Sequence, residues 1–250
     1  MESFDRLILI DKPSGISSFG VVARVRRQLT EELNSQKGKE QPEQKPHFLP
    51  GVSRKTIGVS RKRVKVGHCG TLDPFATGLM ILLSGKFTRR ASELTKLDKV
   101  YEATIRLGVT STTGDPEGEI APLQETLQAP GLQEVEKVLK KFIGKITQTP
   151  PIYSAIKIGG ERAYKLARKG QIPEIPPRQV EIYSIELLKY DYPILKIRAH
   201  VSSGTYIRTL SEDIGQELKT GAYTTTLRRT KIGQYDVQDA KPLAKFEKIC

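Results

Sequence analysis

The chain is poor in the residues that build disulfide, metal and triad chemistry. It has two cysteines and three histidines in 250 residues. Cys69 and Cys250 lie far apart, with no C-x-x-C pair and no histidine at metal-ligand spacing. Neither a disulfide framework nor a zinc site is expected, and both thiols read as free in a reducing compartment. Long apolar runs are missing too, since no stretch reaches the roughly 18 residues of a membrane span. The start, MESFDRLILIDKPSG, has acidic residues and a short apolar run where a signal peptide has a basic region and a longer one. A soluble cytoplasmic protein, not membrane-bound, is expected. No G-x-x-x-x-G-K-[ST] phosphate loop, no G-x-G-x-x-G after a strand, no G-x-S-x-G and no H-E-x-x-H occurs. With those chemistries excluded, a carboxylate is the natural nucleophile.

Acidic charge is in deficit as well. Against 41 Lys and Arg stand 28 Asp and Glu, a formal charge of +13 with an isoelectric point near 9.7. Such an imbalance speaks about partners rather than fold, and nucleic acid is the leading candidate. From Lys37 to Lys65 nine basic residues meet only Glu40 and Glu43, so +7 of the excess falls in one segment. Thr30 to Pro50 is Glu, Gln, Lys, Pro and Ser without periodicity. Residues 31–65 are therefore read as a flexible basic insertion.

What remains is patterned. Length suits one large domain, residues 1–250, with a core that needs no disulfide support. Leu7 to Ile10 closed by DKPSG reads as a strand and turn, and Ser17 and Ser18 are placed to cap a helix through about Leu29. Leu79 to Leu83, bounded by Gly78 and Gly85, reads as a buried strand, and Tyr101 to Leu107 alternates with period two. TGDPEGE after it is dense in turn residues. Leu132, Val135, Val138, Leu139 and Phe142 mark an amphipathic helix. Further strands are expected at Val180 to Leu188 and Leu195 to Val201, then a helix bearing Leu210, Ile214 and Leu218. Both turns and helices join the strands, so an α+β fold with a mixed sheet is predicted rather than a regular βαβ array. Between Pro151 and IPEIPPR, Lys157, Arg162, Lys165, Arg168 and Lys169 interleave with Tyr153 and Tyr164. Basic residues among stacking rings suit an arm laid on RNA.

In GHCGTLDPFATGLMILLSGKFTR, a lone carboxylate, Asp73, sits in a glycine- and proline-bounded turn running into apolar sequence. This block resembles the signature of the TruB-type tRNA pseudouridine synthases. LILIDKPSGISS near the start, KVYEATIRLG, VSSGTYIRTLSEDIGQEL and LRRTKIG fall in the family's order around it, and TPPIYSAIKIGGERAYKLARKG resembles its RNA-gripping thumb, within residues 148–178. The resemblance implies the pseudouridine-synthase fold: a mixed, largely antiparallel sheet flanked by helices. It implies isomerisation of the T-arm uridine of tRNA (uridine 55), with no metal and no cofactor, and a tRNA-folding chaperone side role. It assigns Asp73 as the catalytic carboxylate, Arg208 as its pairing guanidinium and Tyr101 as the ring that stacks on the target base. It gives His68 a role in reading the RNA loop and Leu227 a place on the pocket floor. Arg228, Tyr153 and Lys157 are further candidate RNA contacts; Lys12 resembles part of a structural block near the cleft, and Lys99 part of the family's Lys-x-Tyr pairing with Tyr101. The chain ends about ten residues after Ala240, which leaves no room for the family's C-terminal PUA domain. A stand-alone monomer without guide RNA is therefore expected.

Overall fold

The computed structural model describes residues 4–40, 63–122, 128–154, 156–171 and 173–246. In chain order its elements are β1 (Leu7–Lys12), α1 (Ser18–Glu40), β2 (Val66–His68), β3 (Thr77–Ser84), a 3₁₀ segment over Gly85–Arg90, α2 (Ala91–Thr95), β4 (Lys99–Leu107), β5 (Val109–Ser111) and β6 (Ile120–Pro122). There follow α3 (Leu132–Lys141), β7 (Gly144–Gln148), β8 (Lys157–Ile158), β9 (Glu161–Arg162), α4 (Ala163–Arg168), β10 (Arg178–Asp191), β11 (Ile194–Val201), α5 (Ile207–Glu217), β12 (Ala222–Ile232), β13 (Tyr235–Asp236) and β14 (Lys241–Pro242). One 10-stranded sheet runs β14-β1-β3-β12-β4-β11-β10-β7, with β2 on β3 and β13 on β12. Its pairings are antiparallel except β1 with β14 and β12 with β3. The architecture is the α+β mixed sheet expected from the sequence.

Two strands show why their sequences differ. On β3, Met80 and Leu82 face the main core with Val21, Val25 and Leu29 of α1 and Leu210 and Ile214 of α5. Leu79, Ile81 and Leu83 face a second core with Leu94 and Ile232. A strand covered on both faces reads as an unbroken apolar run. On β4, Tyr101, Ala103, Ile105 and Leu107 enter the main core while Glu102, Thr104 and Arg106 face the other side, hence the period of two.

Helix α1 begins where expected: Ser17 Oγ accepts from the Gly20 amide at 3.1 Å, an N-cap. It ends later, at Glu40 rather than near Leu29. Gln, Glu and Lys are good helix formers, and Gln28 Nε2 donates to Glu32 Oε1 at 3.0 Å, one turn on. Residues 31–40, read as the start of a flexible insertion, therefore continue the helix, whereas residues 41–62 lie outside the described residues. Val64 is buried, and its amide donates to Thr30 Oγ1 at 3.2 Å, fixing the entry to β2 against α1. Among the described residues, no helix is long and apolar enough to cross a membrane.

Candidate active site

Asp73 lies on the loop from β2 to β3, and that loop is held from three directions. Ser18, at the start of α1, accepts from the Leu72 amide at 2.7 Å and donates to the Leu72 carbonyl at 2.8 Å. Lys12, fully buried at the end of β1, donates to the carbonyls of Pro13, Ile16 and Pro74 at 2.9, 2.8 and 3.0 Å. Burial lowers its ammonium to about 8, opposed by Asp73. From β12, buried Arg229 donates through Nε to the Leu79 carbonyl at 2.8 Å, and through Nη1 and Nη2 to the Thr71 and Gly70 carbonyls at 3.3 Å each. Gly78 has φ +104, and a Cβ there would sit 2.3 Å from the Arg229 carbonyl oxygen. Only glycine lets β3 and β12 approach so closely beside the loop.

Asp73 and Arg208, far apart in sequence, meet here. Arg208 Nε lies 3.0 Å from Asp73 Oδ2, an ion pair in which the N–H does not point along a hydrogen bond. The Arg208 side chain is 3% exposed and that of Asp73 28%, so the guanidinium is interior and the carboxylate opens to solvent. The rest of the fork is occupied. Nη1 donates to Asp115 Oδ2 and to the Thr113 carbonyl, and Nη2 to the Tyr153 carbonyl, each at 2.9 Å. Burial raises the Asp73 carboxyl above its ordinary 3.8; Arg208 opposes this most strongly, Asp115 adds to it, and Lys12 and Arg229 also oppose it. The guanidinium restrains the rise without reversing it.

Asp115 was hidden by its own context. TGDPEGE reads as a turn, and Asp115 does make one, its Oδ1 accepting from the Glu117 amide at 3.0 Å and from Thr113 Oγ1 at 2.6 Å. Its other oxygen is the second acid on Arg208. Arg229 had a usable signal, because alternation from buried Leu227 turns residue 229 to the same side. Glu212, one turn after Arg208 on α5, closes the cluster. A Cβ on Gly114 would lie 2.5 Å from its Oε1. Burial pushes Glu212 up to about 7, against Arg208 and with Asp213 and Asp115. Its native pKa exceeds the unfolded value, so the native state holds the extra proton between about 4.5 and 7, and stability falls as pH rises through that window. Glu212→Gln is therefore expected to gain about 1–2 kcal/mol on the wild type between about pH 5 and pH 8 in urea unfolding. A stability difference that stays flat over that range would remove the assignment.

The remaining candidates are distributed around this centre. Tyr101 is 9% exposed on the core face of β4, paired with Arg229 across β12. Leu227 stands opposite Ala103 and is mostly buried. It borders an open cleft of about 450 Å³ together with Phe75, Pro116, Thr77 and Glu102, beside the loops of Asp73 and Asp115. His68 Nδ1 accepts from the Gly70 amide at 3.3 Å; burial lowers its pKa, and Arg229 and Arg162 lower it further. Arg162 belongs to β9, so the charge of the basic arm is felt at His68. Lys157 is exposed on β8 and pairs in register with Arg162. Tyr153 exposes its side chain while its carbonyl holds Arg208. Arg228 makes a two-pronged pair with Asp11 of β1, Nη2 to Oδ2 at 2.8 Å and Nη1 to Oδ1 at 3.1 Å. That pairing ties β12 to β1 across β3. Lys99 donates to the Thr95 carbonyl at 2.7 Å. Buried Cys69 has its thiol pushed up to about 11. Among the described residues, no three of His, Cys, Asp or Glu are grouped to hold a metal ion.

Both ends of the arm between β7 and β10 grip the turn before α5. Gln148 donates to the Tyr206 carbonyl at 3.2 Å and accepts from its amide at 3.1 Å. Arg178 donates to the Gly204 carbonyl and stacks over the Tyr206 ring at 4.9 Å. The arm is thus mechanically joined to the helix that presents Arg208.

The TruB family pseudouridylate synthase N-terminal domain matches residues 54–207, and the tRNA pseudouridylate synthase B C-terminal domain matches residues 208–250. The chain belongs to the TruB family of pseudouridylate synthases. It is 39% identical over 238 residues to tRNA pseudouridine synthase B of Endomicrobium trichonymphae, covering 95% of this chain and 89% of that one. To the enzyme of the same name from Phocaeicola vulgatus it is 40% identical over 240 residues, covering 96% and 91%. Among solved structures it is similar to one described as a Cbf5-Nop10-Gar1 complex, with a TM-score of 0.64 and 26% identity, covering 96% of this chain and 53% of that chain. The family chemistry is an isomerisation. The boundary between the two matched regions falls between Ile207 and Arg208, at the head of α5.

Proposed function

We propose that this TruB-family isomerase converts the T-arm uridine of tRNA, uridine 55, to pseudouridine, and that Asp73 and Arg208 carry the reaction. The observation behind this reading is the partly exposed carboxylate of Asp73 held 3.0 Å from an interior guanidinium. The names of the bacterial relatives support the substrate, and the charge of +13 supports a polyanionic partner.

The reaction breaks N1–C1′, turns the uracil and forms C5–C1′. The C5 proton is lost to solvent and N1 takes a proton, so composition is conserved. The base must leave its stack to reach a carboxylate in a cleft. Ionised Asp73 either attacks C1′ or assists a glycal-like route, and both need it deprotonated and aimed. Arg208 does the aiming. Tyr101, on the strand beside Arg229, supplies the ring against the base, with Leu227 below it. The arm bearing Tyr153, Lys157 and Arg162 lies over the RNA near His68, and its attachment through Tyr153 and Gln148 links RNA grip to the position of Arg208. The protein works as a monomer without guide RNA, and refolding of tRNA by the same grip is its side role.

An unmodified tRNA transcript tritiated at C5 of uridine tests this. Incubation with a chelator present is expected to release tritium to water from one T-arm site. Tight binding without release would leave only an RNA-binding role, and free uracil would make the protein a glycosylase.

A further inference from the structure

The N-terminal half of α1 carries a feature that the active site does not use. Phe19 is 67% exposed, although it follows Ser18, whose hydroxyl clasps Leu72 next to Asp73. Such an exposed ring costs hydration free energy and earns no packing. Arg26, two turns on, holds its guanidinium carbon 5.9 Å from the ring centroid. Ala23, Arg26, Arg27 and Thr30 follow Phe19 along the same flank, while Val21, Val22, Val25 and Leu29 face the core. Thr30 receives the Val64 amide, so exposed Arg63 and Lys65 run beside this flank as the chain enters β2. The first acids of α1 are Glu31 and Glu32, past the first three turns. An exposed aromatic, a cation over its face and a line of basic side chains form a combination suited to a nucleobase with its phosphates.

We propose that this flank of α1 is a second RNA-binding surface, separate from the thumb arm. An unpaired nucleobase beside the extruded uridine stacks on Phe19, and Arg26 and Arg27 hold the phosphates that follow. The surface starts one residue from the clamp on the Asp73 loop and runs from Phe19 to Thr30, roughly 17 Å along the helix. The occupant is the RNA substrate itself, so this inference rests on the function proposed above.

The test measures binding and turnover of unmodified tRNA transcript by wild type, Phe19→Ala, Phe19→Tyr and the pair Arg26→Gln with Arg27→Gln, over a range of salt. Phe19→Ala is expected to weaken affinity roughly tenfold, most of it appearing in KM, and Phe19→Tyr to restore it. The arginine pair is expected to reduce the slope of log affinity against log salt by about 2. Thermal unfolding should be unmoved in all of them, since these side chains pack little. Affinity and salt slope unchanged in an active protein would overturn the surface alone. A wild type that neither binds nor modifies tRNA would overturn the function and this surface with it. Loss from Phe19→Ala that tyrosine does not restore would also reject stacking.

Discussion

Asp73→Asn is expected to lower tritium release on the order of 10⁴-fold or more, with tRNA affinity within about threefold of the wild type. The substitution keeps the shape and removes the charge. Arg208 still has the carboxylate of Asp115 and two carbonyls, so its fork stays in place. Stability should move the other way from activity. Burial raises the native pKa of Asp73, so its ionised form is held at a cost above the unfolded pKa, and that cost persists at neutral pH. The asparagine variant is thus expected to melt at or above the wild-type temperature, a trade seen where active sites hold unfavourable charge. The same shift places the acid limb of wild-type activity above pH 3.8, because the carboxylate must be ionised. Full release by Asp73→Asn, or a melting temperature well below wild type, would remove Asp73 from the centre of the reaction.

How much of this was legible depended on whether a residue's role was local. β3 and β4 announce themselves because burial on two faces or one writes directly into the residue period. The Ser17 cap and the core face of α3 are equally local. Asp73 and Arg208 were legible as motif residues only, since no spacing rule joins a loop after β2 to the head of α5. Asp115 has two functions on two oxygens, and the turn-forming one masks the ion pair. Arg228 and Arg229 are identical neighbours in sequence, yet one pairs with Asp11 and the other is interior and holds the Asp73 loop by its carbonyls. Their division of labour follows from strand alternation, which composition does not see. The late end of α1 shows the converse: polar composition argued for loop, but helix propensity and an i to i+4 amide pair carry the helix through it.

Arg208→Lys is expected to reduce turnover roughly 10²- to 10³-fold while retaining the fold. Lysine restores one charge but not three directions, and at this site the directions are separately employed: Nε faces Asp73, Nη1 binds Asp115 and the Thr113 carbonyl, and Nη2 holds the arm at Tyr153. The loss should therefore appear in both kcat and KM, because the arm loses its tether as the carboxylate loses its guide. Arg208→Met goes further, leaving the buried Asp115 carboxylate without its cation, at a cost of about 3–5 kcal/mol in stability. Asp115→Asn separates the electrostatic part from the mechanical one. Asp115 raises the Asp73 pKa and Arg208 lowers it, so neutralising Asp115 moves the acid limb of kcat down in pH, and weakening Arg208 moves it up. Opposite displacements from two residues on one guanidinium are what an electrostatic network requires. Equal displacements, or none, would mean that Arg208 and Asp115 serve the fold and leave Asp73 to act alone.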